Sequence, residues 1–187
     1  MFKKDVTYLL VGGLGGLGRH VALWMADRGA SHLAFVSRTG VSTPDAVEFI
    51  QSLRDRGVYA QALRADITCR EDLERAVAKI PSSCPIRGVV NAATVMHDTL
   101  FHNMTITAWK ETTEPKVKGC LNLHEVFKDT PLDFFVMTSS VSSTLGSSGQ
   151  SNYSAGKSLF LEATYLCGPP PVPWSPPVCQ SQADFFS

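Results

Sequence analysis

The chain has 187 residues, 44% hydrophobic and 18% charged, with a formal net charge of zero and a pI near 6.9. That length and composition suit one soluble α/β-sized domain with a sizeable core. They exclude an electrostatic case for nucleic acid or an anionic membrane, and no apolar run approaches the roughly 20 residues of a membrane span. The five cysteines and five histidines show no metal-ligand spacing, so no metal site is expected. Met1-Phe2-Lys3-Lys4-Asp5 leads straight into an apolar run without a secretion-signal pattern. Reduced thiols and a cytoplasmic location are the corresponding expectations.

The apolar run Val6–Val11 predicts a buried strand, and glycines follow at once. His20–Arg28 then carries Val21, Leu23, Trp24 and Ala26 at helical spacing. Strand, glycine turn and helix in that order suit a pyrophosphate, because glycines let backbone N–H groups approach and the helix start offers free donors. Gly13, Gly15 and Gly18 fit the spacing GxGxxG, and Gly12, Gly16 and Gly18 fit GxxxGxG. The loop Gly12 to Gly18, with Leu14 and Leu17, is the candidate cofactor loop; a flexible turn with helix-packing glycines is the bland alternative.

Leu33–Ser37 predicts the second strand, and Thr43–Gly57 a helix with Ala46, Val47, Phe49, Ile50 and Leu53 on one face. Arg38 follows the second strand where an acidic residue would take the ribose 2′-hydroxyl of NAD. Its guanidinium suits the 2′-phosphate of NADP instead, with Ser37 as a second donor; a surface arginine in a turn is the alternative. Val58–Leu63 predicts a strand. Thr68, with Glu71 three residues on, predicts a capping box and a helix to about Ile80. Asp66, beside Ile67, either faces an adenine or caps that helix. Ile86–Asn91 predicts a strand ending in Asn91, Ala92 and Ala93, small enough for a cofactor to come close. A helix from Thr107 to about Lys128 should be kinked or divided by Pro115. A strand over Leu132–Thr138 and a helix from Asn152 to about Tyr165 complete the pattern. Repeated βα units imply a Rossmann-like, doubly wound α/β fold with a parallel sheet and ligands at the strand C-termini. Six of the eleven prolines fall between Cys167 and Pro177, so the chain divides into a domain over residues 1–166 and an irregular or disordered tail over 167–187.

Ser140 lies at the end of the last strand, with Tyr153 thirteen residues on and Lys157 four after that. Tyr153 and Lys157 share a helix face. An ammonium beside a phenol stabilises the phenolate, and a serine hydroxyl can hold a carbonyl oxygen. Behind a dinucleotide loop, the three point to hydride transfer between a carbonyl and an alcohol.

These stretches resemble the short-chain dehydrogenase/reductase superfamily. More narrowly, they resemble ketoreductase domains of polyketide synthases of the modular and fungal highly reducing types. The likeness runs from about Thr7 to Thr164 through Tyr8–Arg19, Phe35–Gly40, Lys116–His124, Val136–Ser140 and Gly149–Gly156. It implies NADPH-dependent reduction of a β-ketoacyl thioester, presented by an acyl carrier domain of the synthase, to the β-hydroxyacyl thioester. Ser140 would orient the carbonyl and Tyr153 would supply the proton. The resemblance assigns the supporting lysine to Lys116, and Lys157 stands where the subfamily usually has asparagine. The expectation is that Lys157 takes the tyrosine-activating role, Lys116 is partly redundant, and at least one of the two has a lowered pKa. Met96-His97-Asp98 matches the family's stereochemical fingerprint only in part. Nothing after Thr164 resembles the family's lid and final strand, so the chain reads as a C-terminally truncated part of a larger enzyme. An inactive fragment and a free-standing small-molecule reductase are the competing readings.

Overall fold

The structure is a computed structural model that describes residues 1–166. The proline-rich segment assigned above to a tail lies outside the described residues. Five parallel strands, β1 (Thr7–Val11), β2 (His32–Ser37), β3 (Tyr59–Arg64), β4 (Ile86–Asn91) and β5 (Phe134–Met137), form one sheet in the order β3-β2-β1-β4-β5. Helices α1 (Gly16–Asp27), α2 (Pro44–Asp55), α3 (Arg70–Val77) and α4 (Ile106–Phe127) make the crossovers. α5 (Ser142–Leu145) and α6 (Ser151–Leu166) follow β5. Among the described residues no helix is long and apolar enough to cross a membrane.

Both faces of the sheet are covered, which is why its central strands read as unbroken apolar runs rather than alternating ones. Tyr8, Leu10, Leu33 and Phe35 point into one core with Met25, Phe49 and Leu53 of α1 and α2. Leu9, Val11, Ala34 and Val36 point into the other, with Leu73, Leu123 and Phe127 of α3 and α4. The chain order reverses at β1, which has β2 on one side and β4 on the other. Ligands bind in the crevice at the carboxyl ends of such neighbours.

The expected elements are all present, with differences that have local causes. The buried stripe of α1 is Gly18, Ala22 and Met25, while Trp24 is half exposed against Phe2 and the Arg28 guanidinium. In α2 the buried face is Ala46, Phe49, Ile50 and Leu53, and Val47 faces outward. Thr43 caps that helix by accepting from the Ala46 N–H at 3.3 Å. Thr68 forms no capping box: Cys69 is the N-cap of α3, and Thr68 gives its hydroxyl and N–H to Asp66 Oδ1 at 2.8 and 2.9 Å. The carboxylate is the stronger acceptor and claims both donors. α4 runs undivided through Pro115. A proline removes one donor and frees the carbonyl four residues back, here that of Glu111. Glu111 is exposed, and Glu111, Glu114 and Pro115 all border an open cleft. The 3₁₀ turn Phe101–Asn103 and α5 went unpredicted because neither is long enough to show a period.

Two glycines fix how the first crossover closes. Gly12 has φ +71°, and a Cβ there would lie 2.7 Å from the Ala93 backbone. A Cβ on Gly18 would lie 2.4 Å from Gly13 Cα. Both obstacles are backbone and cannot swing aside. The Gly18→Ala substitution should therefore destabilise the fold by about 1–3 kcal/mol, read as a lower midpoint in thermal or urea unfolding. Gly16→Ala, whose Cβ meets open space, should leave unfolding nearly unchanged.

Candidate active site

A cleft of about 1060 Å³ lies along the carboxyl ends of the strands. One wall is the glycine loop. Gly12 N–H donates to Val36 O at 2.9 Å, and Gly15 N–H donates back to Gly12 O at 3.1 Å, so the loop is folded before any ligand arrives. α1 then begins at Gly16 with Gly15 as N-cap, without a side-chain cap and without an acidic residue in its first turn. Gly12, Gly15, Gly16, Leu17 and Gly18 all border the cleft. Uncapped first-turn N–H groups and the positive end of the helix dipole face it, and the space beside Gly16 is where a side chain would stand. That cradle fits a dinucleotide pyrophosphate.

Gly13 and Leu14 do not border the cleft. Gly13 is buried under the loop, where a Cβ would strike Leu10 and Phe35, and Leu14 packs against the α1/α2 core. The loop thus works as GxxxGxG, with Gly12 making the turn, Gly16 facing the ligand space and Gly18 packing on Gly13.

At the end of β2, Arg38 is exposed and borders the cleft, and among the described residues no carboxylate pairs with it. Ser37 borders the cleft too, but its hydroxyl donates to Gly40 O at 3.2 Å, so as a second phosphate donor it would have to leave that bond. Asp66 and Ile67 form the floor beyond β3. Asp66 closes the turn before α3 and faces the cleft at once. Ala92 and Ala93 border the cleft after β4, while Asn91 is buried behind them. The Asn91 side chain accepts from Ala93 N–H at 3.1 Å and donates to Cys120 Sγ at 3.2 Å. It therefore shapes the backbone and does not reach the ligand space. Burial pushes the Cys120 thiol up to about 12 and keeps it inert.

Ser140, Tyr153 and Lys157 border the same cleft. Ser140 Oγ accepts from Ser142 N–H at 3.2 Å, which leaves the hydroxyl proton free to donate to a carbonyl. Lys157 lies below the tyrosine, Nζ 5.3 Å from the ring centre, and donates to Thr138 O at 2.7 Å. Lys116 does not border the cleft. It is 2% exposed, on α4 behind Lys157, and the two amines are in hydrogen-bonding contact. Burial, then the neighbouring Lys116 charge, push the Lys157 amine down to about 6. Burial also lowers Lys116, opposed by its hydrogen bond to Lys157. The pair therefore gives up its second proton well below the ordinary lysine range.

Asn152 was not among the residues singled out from the sequence. It is fully buried, with Nδ2 donating to His97 O and Thr112 Oγ1 at 3.1 Å each and Oδ1 accepting from Tyr153 N–H at 2.8 Å. It ties the start of α6, and so Tyr153, to α4 and to the segment after β4. The only available signal was an amide next to the tyrosine at a helix start. Gln150 Nε2 donates to Asp98 at 2.9 Å and adds a second tie between the same segments.

A cradle that fits a dinucleotide at the switch point, with Ser140 after β5 and Tyr153 and Lys157 on α6, defines a class: a Rossmann-type α/β domain. The family model of the KR domain matches residues 6–165. "Reducing polyketide synthase DEP5" of Fusarium langsethiae is 51% identical over 158 residues, covering 84% of this chain and 7% of that protein. "Hybrid PKS-NRPS synthetase pynA" of Aspergillus niger is 44% identical over 163 residues, covering 87% of this chain and 4% of that protein. The solved "Structure of A-type Ketoreductases from Modular Polyketide Synthase" aligns with a TM-score of 0.79 and 34% identity, over 84% of this chain and 33% of that one. The chain belongs to the KR (ketoreductase) domain family. It spans under a tenth of the length of these synthases and about a third of that solved ketoreductase chain.

The lowered Lys157 pKa sets a sign for stability against pH. Unfolded lysine holds its proton to pH about 10.5, whereas the folded amine releases it near 6. Between those values the unfolded state binds more protons, so stability should rise with pH, by up to about 1.4 kcal/mol per unit. Urea unfolding from pH 6.5 to 9 should show this slope. In Lys157→Met the slope should be clearly smaller, and an equal slope would mean that the buried amine keeps its proton throughout.

Proposed function

We propose that this chain performs the keto-reduction step of polyketide assembly: NADPH-dependent reduction of a β-ketoacyl thioester to the β-hydroxyacyl thioester. The thioester would be carried on the arm of an acyl carrier domain within a multidomain synthase. One observation carries this reading. The uncapped start of α1, Arg38, and the Ser140/Tyr153/Lys157 cluster all border a single cleft. Membership in the KR family supports it.

The nicotinamide, when bound, supplies the hydride. The chain's own groups do the rest. First-turn N–H groups of α1 hold the pyrophosphate and Arg38 takes the 2′-phosphate. Ser140 donates its free hydroxyl proton to the ketone oxygen and orients it. Tyr153 delivers a proton to the oxygen as negative charge builds there. In its protonated form Lys157, under the tyrosine ring and anchored on Thr138 O, favours the phenolate left behind, and the charge of that phenolate in turn favours the ammonium over the neutral amine. Lys116 lies one shell deeper and acts on the tyrosine through Lys157.

NADPH should raise the melting midpoint more than NADH, since only binding to the native state shifts it. Arg38→Ala should remove most of that preference, about 1.5–3 kcal/mol for a charged hydrogen-bonded contact. With a β-ketoacyl thioester and NADPH, followed by loss of NADPH absorbance, Tyr153→Phe should lower turnover by about 10²–10⁴. Lys157→Ala should cost more than Lys116→Ala. Loss of turnover in Lys116→Ala alone would reverse the roles given to the lysines. NADPH binding without any turnover would mark the chain as a cofactor-binding portion that needs the rest of the synthase.

A further inference from the structure

A second cavity, about 260 Å³, opens at the opposite end of the sheet, where β1, β2 and β3 begin. The five residues of β1 separate it from the first cleft by about 17 Å of strand. Its lining includes Thr7, His32, Tyr59, Gln61 and Cys84. The hydride-transfer chemistry uses none of them.

His32 and Cys84 are paired there. Cys84 Sγ lies 3.6 Å from His32 Nε2, within hydrogen-bond reach for sulfur. His32 Nδ1 lies 3.0 Å from Lys4 O. A carbonyl can only accept, so Nδ1 carries a proton and Nε2 is the nitrogen turned to the thiol. In that tautomer of the neutral ring Nε2 is an acceptor, placed to take the Cys84 S–H. The Tyr59 ring stands 5.6 Å from the imidazole and limits its swing. On the other side, Thr7 Oγ1 donates to Cys84 O at 2.7 Å and Thr7 N–H to Pro85 O at 2.9 Å, which holds the thiol's backbone against β1. A thiol, a base turned to it and a third group orienting the base are the parts of an activated nucleophile. Both residues are half-buried and border the same cavity, so a small reagent has a way in.

We propose that Cys84 and His32 form a second reactive site, in which Cys84 is a nucleophilic thiol that takes up a low-molecular-weight disulfide from this cavity. The Cys84 S–H proton passes to His32 Nε2. Sγ attacks one sulfur of the disulfide, a new S–S bond forms and the old one breaks. The leaving thiolate takes the proton from His32. One thiol and one disulfide give one mixed disulfide and one thiol, with no added oxidant or reductant. The site is independent of the keto-reduction reading: it stands at the other end of the sheet and needs no nicotinamide.

The test uses dipyridyl disulfide on the whole chain at neutral pH, with every cysteine followed by peptide mass mapping. Cys69, also half-buried but beside the Glu71 carboxylate rather than an imidazole, is the internal comparison. Cys84 should be labelled at least about tenfold faster than Cys69, as a positioned base requires. In His32→Gln, which keeps a donor for Lys4 O, the advantage should fall to near one. In urea the advantage should vanish for the parent chain as well, a measurement that does not depend on the variant folding. Cys84 reacting no faster than Cys69 in the native chain, or retaining its advantage in urea, overturns the proposal. So does a folded His32→Gln chain that reacts as the parent does.

Discussion

Two backbone approaches, Gly12 against Ala93 and Gly18 against Gly13, set where everything else in this domain can stand. Gly12 turns the chain out of β1 with a positive φ, at the one place where the strand order reverses. The turn sits on the backbone leaving β4, and Ala92 N–H donates to Val11 O at 2.8 Å. With no Cβ between Gly13 and Gly18, α1 drops close enough to the sheet for its first turn to face the crevice. A methyl group at either contact would lift the helix start away, and the uncapped N–H groups would lose the position that suits a pyrophosphate.

The second centre is an unusual concentration of positive charge in the interior. Lys116 and Lys157 arrive from different helices and are both almost fully buried, with their amines in contact. Two buried ammonium groups disfavour each other, so the site tolerates the pair only by releasing a proton easily. That adaptation fits a place where proton transfer is the chemistry. The cost falls on stability, and the packing of α4 on α6 must bear it. Asn152 contributes to that packing by satisfying three polar groups at the root of the tyrosine helix.

The sheet is used at both ends. Its carboxyl ends carry the candidate active-site cleft, as the doubly wound topology dictates. Its amino ends carry the Cys84–His32 cavity, which arises because the segment before β4 folds back over the starts of β1 and β2. No spacing rule in the sequence links residues 32 and 84.

Much of the site was legible along the chain because its signals are local. The glycine loop between an apolar run and a helix, Arg38 at a strand end, and Tyr153 four residues before Lys157 each lie within one element or one turn. Apolar runs and helical spacing likewise located the five strands and the main helices, since burial on both sheet faces leaves a continuous pattern. What escaped were choices among donors and faces. Thr68 yielded to the Asp66 carboxylate, Trp24 stayed at the surface while Met25 went inside, and Pro115 lies buried within an undivided α4 at the edge of the cleft. Each depends on what a neighbouring element offers, and a single stretch of sequence does not contain that neighbour. The same holds for the lysines. Residue types and spacing made both Lys116 and Lys157 candidates for one role, but only the packing of α4 against α6 puts Lys157 under the tyrosine and Lys116 behind it.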